Sequence, residues 1–118
     1  ERRNPSDERQ PMFRKKGTGP SRQLAEGIQL TTLVHGDQTL MGQFTLAKGA
    51  VIPTHTHPHE QTGMMISGKL RFVVEGETMD VEAGDSWCLP GGAAHSAEAL
   101  ADSVVIEVFS PVREDYLP

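Results

Sequence analysis

The stretch GAVIPTHTHPHEQTGMMISG at residues 49–68, read together with GDSWCLPGGAAH at residues 84–95, decides what this chain folds into. The first opens on Gly49, sets His55, His57 and His59 at alternate positions, adds Gln61, and closes on Gly68. The second opens on Gly84, passes through Pro90, Gly91 and Gly92, and ends at His95. Side chains at i and i+2 of an extended strand share a face, so His55 and His57 project together and Gln61 keeps their parity. With His95 supplied by the second stretch, the spacing is that of a two-hairpin metal site in which three imidazoles meet one amide oxygen.

Outward from these stretches the chain reads as short strands separated by turns. Strands are expected over residues 28–34, 39–46, 61–66, 70–74, 78–81, 86–89, 95–99 and 103–109. Between them lie Gly36-Asp37, Lys48-Gly49, Ser67-Gly68-Lys69, Glu75-Gly76-Glu77, Ala83-Gly84-Asp85 and Pro90-Gly91-Gly92, all favourable turn chemistry. No segment sustains a helical period with caps at both ends. Many short strands in 118 residues predict one all-β domain, a sandwich or barrel whose closure hides its sheet edges.

Composition excludes several functions. The single cysteine, Cys88, rules out an intrachain disulfide and a cysteine-rich zinc module. No run approaches the roughly 20 apolar residues that cross a bilayer, so no membrane partner is expected. Residues 1–22 carry seven Lys and Arg against three acidic residues, whereas the whole chain stands at -5, which leaves -9 for residues 23–118. An acidic body argues against nucleic acid as a partner, because phosphate contacts need clustered cations. Residues 1–22 read as a basic arm, disordered or draped over a neighbouring subunit, and residues 23–118 as the domain. Placement in the cytoplasm is expected. The chain begins Glu-Arg-Arg, so an export signal or tag removed ahead of Glu1 would leave no trace here.

The two stretches resemble the paired motifs of the cupin superfamily, whose members are small jelly-roll β-barrels. The first is in register throughout, with Gln61 where many cupins have Glu; the second has Ala99 where an Asn is common. HTHPHEQ at residues 55–61, together with EVFSPVREDYL at residues 107–117, is similar to the KdgF-type pectin-degradation cupins. That resemblance implies one divalent ion held by His55, His57, Gln61 and His95. It also implies catalysis by an acid, a Phe and an Arg of the last strand, at the positions of Glu107, Phe109 and Arg113. The family usually has Asp at the first of these, and the extra methylene of Glu107 moves the carboxylate by about 1.5 Å.

Other readings of these residues stand beside that one. Val104, Ile106 and Val108 form one apolar face of the last strand, which by alternation alone puts Glu107 in water. Val105 and Phe109, however, share the face of Glu107, so alternation leaves both orientations open, and the resemblance favours the cavity. Arg113 reads either as a surface charge paired with Glu114 or Asp115, or as a planar fork for a substrate carboxylate. His59 is expected at the rim and Glu60 pointing away. Met41, Met64, Met65 and Met79 read as core filler or cavity lining, Trp87 and Phe72 as packing, and Cys88 as an inert buried thiol.

Three His and a Gln carry no charge, so a bound Zn, Ni, Fe or Mn ion keeps its full charge as a Lewis acid. This tilts the expectation toward non-redox chemistry of the isomerase or lyase type. With the resemblance, the expected substrate is a small sugar acid: a 4,5-unsaturated monouronate from pectin or alginate, ring-opened and ketonised. The alternatives are a metal-dependent dioxygenase or lyase on another small organic acid, and a non-catalytic sugar- or metal-binding module. A homodimer is expected, burying the Val104, Ile106 and Val108 face.

Overall fold

A computed structural model describes residues 12–118. Among these residues, ten strands form two antiparallel sheets. The strands are β1 (Ser21–Ala25), β2 (Ile28–His35), β3 (Leu40–Leu46), β4 (Val51–His55), β5 (Glu60–Ser67), β6 (Lys69–Val74), β7 (Glu77–Glu82), β8 (Ser86–Leu89), β9 (His95–Ala99) and β10 (Ser103–Ser110). The larger sheet runs β1-β2-β3-β10-β5-β8 and the smaller β4-β9-β6-β7. All eight expected strands form, each end within one residue of expectation. The architecture is a jelly-roll β-barrel. Sheet edges nevertheless remain at β1, β8, β4 and β7, so closure is less complete than expected.

Two strands escaped the sequence reading. β4 contains Pro53 and is largely exposed, features that argue against a strand in isolation. It forms because it lies at a sheet edge, where proline's missing N–H is tolerated. β1 is exposed along its whole length and pairs with β2 from Ser21 onward, inside the expected arm. Arg14 likewise donates to the Leu33 carbonyl at 3.0 Å. Residues 12–22 are thus joined to the domain rather than disordered, and the rest of the expected arm lies outside the described residues.

The core sits between the sheets. Leu30, Phe44 and Leu46 of the larger sheet meet Leu70, Phe72 and Ala97 of the smaller. β10 lies at the centre of the larger sheet, between β3 and β5, and its residues alternate strictly between buried and half-buried. Val105, Glu107 and Phe109 face inward; Val104, Ile106 and Val108 face outward and are only half covered. The structure also corrects three expectations, two of them by strand parity. Met64 and Cys88 fall on the outer faces of β5 and β8 and are exposed, and Met79 is exposed on edge strand β7. Met65 alone of the four methionines is fully buried. No helix among the described residues is long and apolar enough to cross a membrane.

Candidate metal centre and active site

His55, His57 and His95 come together at one end of the barrel, but not by the route expected. Neither connection is a hairpin: β4 to β5 and β8 to β9 each cross from one sheet to the other. His55 ends β4 and pairs with His95, the first residue of β9. His57 lies on the crossover itself and Gln61 is on β5, so the shared parity of one strand is not what aligns them. The crossovers interlock. The Gly92 N–H donates to the His57 carbonyl at 2.8 Å, and a Cβ on Gly91 would lie 2.2 Å from the Pro58 carbonyl oxygen. Only glycine lets the second crossover lie this close to the first.

The ring centroids are 4.3 Å apart for His55 and His95, 4.9 Å for His57 and His95, and 5.5 Å for His55 and His57. One ligand atom from each of the three lies within 4.8 Å of the others. Each Nδ1 is against a backbone carbonyl: Pro53 for His55 at 2.9 Å, His59 for His57 at 3.1 Å, and Ala93 for His95 at 2.8 Å. These bonds place the proton on Nδ1 and leave the Nε2 lone pairs for a metal.

His57 shows why a cation fits. Its Nε2 lies 3.0 Å from Gln61 Oε1 while its Nδ1 faces the His59 carbonyl. Either neutral tautomer therefore points a lone pair at an oxygen. The imidazolium would satisfy both contacts, but burial first, then Arg113 and His95, lower its pKa. Burial likewise lowers the pKa of His95. His57 Nε2 and Gln61 Oε1, both lone-pair donors, would suit a cation instead of a proton.

The Gln61 amide is oriented from its other end. Its Nε2 donates to Glu107 Oε2, and Trp87 Nε1 donates to the same oxygen at 3.1 Å. Glu107 is 7% exposed, facing the cavity, which decides between the two orientations that alternation left open. Its carboxylate reaches both donors. Burial pushes its pKa up to about 7, against the opposing pull of Gln61, Trp87 and Arg113.

Arg113 proves to be both buried and paired. Its Nε and Nη2 bind the two oxygens of Asp115 at 3.0 and 2.7 Å, while its guanidinium lies 4.0 Å over the Tyr116 ring and 5.2 Å from that of Phe109. The bond from Arg113 holds the Asp115 carboxyl below its usual range. Phe44, Phe109 and Tyr116 meet edge to face, with centroids 5.4 to 6.2 Å apart. Thr32 Oγ1 donates to the Tyr116 carbonyl at 2.8 Å, fastening the C-terminal turn over this cluster. Trp87 and Tyr116 were thus missed as parts of the site, and Asp115 was foreseen only as a partner of Arg113 at the surface. An aromatic residue in a short polar tail was the available signal for Tyr116, since such a ring needs a place to dock.

His59 sits beside His57 with ring centroids 5.5 Å apart, and its Nδ1 is buried without a partner among the described residues. Glu60 is exposed, as expected. The cavity is lined by His55, Gln61, His95, Glu107, Phe109 and Arg113, above an apolar floor that includes Leu70 and Phe72. It measures about 40 Å³, room for a water or the end of a ligand.

A cupin-domain profile matches residues 42–110. The chain belongs to the cupin family. It is 32% identical over 100 residues to the pectin degradation protein KdgF of Dickeya dadantii (strain 3937), covering 83% of this chain and 91% of that protein. The solved structure of KdgF from a Halomonas species is 31% identical, with a TM-score of 0.83 over 87% of this chain and 96% of its own. An RmlC-like cupin from Shewanella frigidimarina is 26% identical, with a TM-score of 0.85 over 89% of this chain and 95% of its own.

Because Glu107 keeps its proton to higher pH in the fold than in the unfolded chain, the stability it contributes is fully present below about pH 4.5. That stability is lost as the pH rises through about 7. The loss is on the order of 3 kcal/mol. Urea unfolding of the metal-free protein should therefore show wild type weakening across this interval relative to Glu107→Gln, whose amide does not titrate. Parallel pH curves for the two proteins would contradict it.

Proposed function

We propose that this cupin is a metal-dependent enzyme that opens the ring of a 4,5-unsaturated monouronate and promotes its conversion to the linear keto form. The observation that carries this reading is the buried acid Glu107, joined through the Gln61 amide to the three-histidine group with Arg113 on the same cavity. The likeness to KdgF, a pectin degradation protein, supplies the substrate class.

His55, His57, His95 and Gln61 Oε1 would hold the ion. When bound, it supplies a Lewis acid that polarises hydroxyl and carboxylate oxygens, with its charge undiminished by four neutral donors. That donor set supports non-redox chemistry over oxygen activation. The remaining guanidinium edge of Arg113 would take the substrate carboxylate. Gln61 and Trp87 both bond Oε2 of Glu107, which leaves Oε1 for the substrate.

Ring opening removes the anomeric hydroxyl proton, to Glu107, as the bond from the anomeric carbon to the ring oxygen breaks. Its electrons stay on the ring oxygen, giving an aldehyde and an enolate conjugated with the carboxylate. Returning the proton to the distal carbon of the former double bond gives the ketone. Atoms and electrons balance with no oxidant, and an acid with a pKa near 7 serves both steps. Phe109, packed against the Phe44 and Tyr116 rings, would wall the cavity from water.

The assembly we infer is a homodimer. Met64 and Ile66 are about half exposed, 48% and 49%, beside the half-covered Val104, Ile106 and Val108. Ile106 and Met64 pair directly, giving a continuous apolar face on the larger sheet.

Metal analysis should find one divalent ion per chain in wild type and little in folded His57→Ala or His95→Ala; unchanged content in both variants would remove the metal centre. With an unsaturated galacturonate, wild type should bleach the conjugated-acid absorbance. Glu107→Gln should cut turnover by on the order of 10²-fold or more. Glu107→Asp should also lose activity, its carboxylate drawn back from Trp87 and Gln61. Arg113→Lys should chiefly raise KM. A fully active Glu107→Gln would end the proton-transfer role. Sedimentation at micromolar concentration should show a dimer, and a monomer alone would refute that assembly.

A further inference from the structure

One register row of the larger sheet is built around Glu107. Glu107 pairs with Gly42 on β3 and with Gly63 on β5, and Gly63 pairs in turn with Trp87 on β8. The acid thus has a glycine on either side. At Gly63 the missing side chain makes room for the indole: a Cβ there would lie 2.4 Å from Trp87 Nε1 and 2.5 Å from Cε2. Neighbouring strands are about 4.8 Å apart, so Trp87 spans two strand spacings, from edge strand β8 across β5 to β10. Phe72 of the opposite sheet packs on it with ring centroids 4.9 Å apart.

This arrangement does more than fill space. The indole N–H donates and never accepts, and the same holds for the Gln61 amide nitrogen. Both point at Oε2 of Glu107. An oxygen facing two donors cannot carry the carboxyl proton toward either of them, so that proton resides on Oε1. We propose that Trp87 is a positioning residue that reserves Oε2 of Glu107 and thereby presents Oε1 for proton transfer. The catalytic part of this inference rests on the uronate reading above; the geometric part does not.

Trp87 is the only tryptophan in the chain, so its indole N–H gives a single resonance in a nitrogen-proton correlation spectrum. Glu107→Gln should move that resonance, whereas Glu98→Gln, on an exposed residue of β9, should leave it in place. For turnover of an unsaturated uronate, Trp87→Phe should lower kcat about 10- to 100-fold with KM little changed. Gly63→Ala, which keeps both side chains but displaces the indole, should reproduce that loss with metal content intact. In a Glu107→Gln background, Trp87→Phe should lower kcat no further, because the group it orients is gone. An indole resonance indifferent to Glu107→Gln, or an equal kcat loss in both backgrounds, would overturn the proposal. A wild type inactive on unsaturated uronates would overturn the uronate reading instead, and the indole resonance would then decide the positioning role alone.

Discussion

The site depends on the Gln61 amide having both ends committed. Its oxygen faces His57 and its nitrogen donates to Glu107, so the residue joins the histidine group to the buried acid. A Glu in its place would set two carboxylates together in a desolvated pocket, where one must hold a proton and neither can donate to the other without it. The neutral donor set and the buried acid therefore require one another. Exchanging either residue alone leaves its partner facing the wrong kind of group.

The larger framework supplies this pairing by register rather than by local sequence. Gln61 pairs with Phe109, and Gly63 with Glu107, two positions further along the same antiparallel ladder. Both strands alternate faces, so Gln61, Glu107 and Phe109 all reach the cavity while Thr62 and Val108 turn outward. The histidines enter from the other sheet and the crossovers, and the glycine-mediated contact between Gly91 and Pro58 fixes one crossover against the other.

Local signals made much of this legible. Turn residues marked eight strands, and the spacing of His55, His57 and His95 named the residues that meet. Alternation could not place Glu107, because Val104 to Phe109 is apolar on both faces; which face meets the opposite sheet, a tertiary fact, decides it. β1 and β4 were invisible because polar residues and Pro53 mask edge strands. Trp87 looked like packing because its bond to Glu107 depends on lateral register across three strands, and no periodicity along one strand reports its neighbours. Met64 and Cys88 were misplaced for a simpler reason: hydrophobic identity was read without parity.

The Arg113 pair with Asp115 bears on how fast such a site can empty. Two of the guanidinium's donor atoms are already engaged by a carboxylate of the same chain, and it packs on the Tyr116 ring with Phe109 beside it. An anion arriving at the remaining edge meets a cation whose charge is partly compensated, so it is oriented well but held weakly. Under the proposed function, substrate and product would carry the same carboxylate, and an unshielded arginine would grip both alike. On that reading, sharing the charge with Asp115 would keep orientation while shortening the residence of the product, so that release need not limit the cycle.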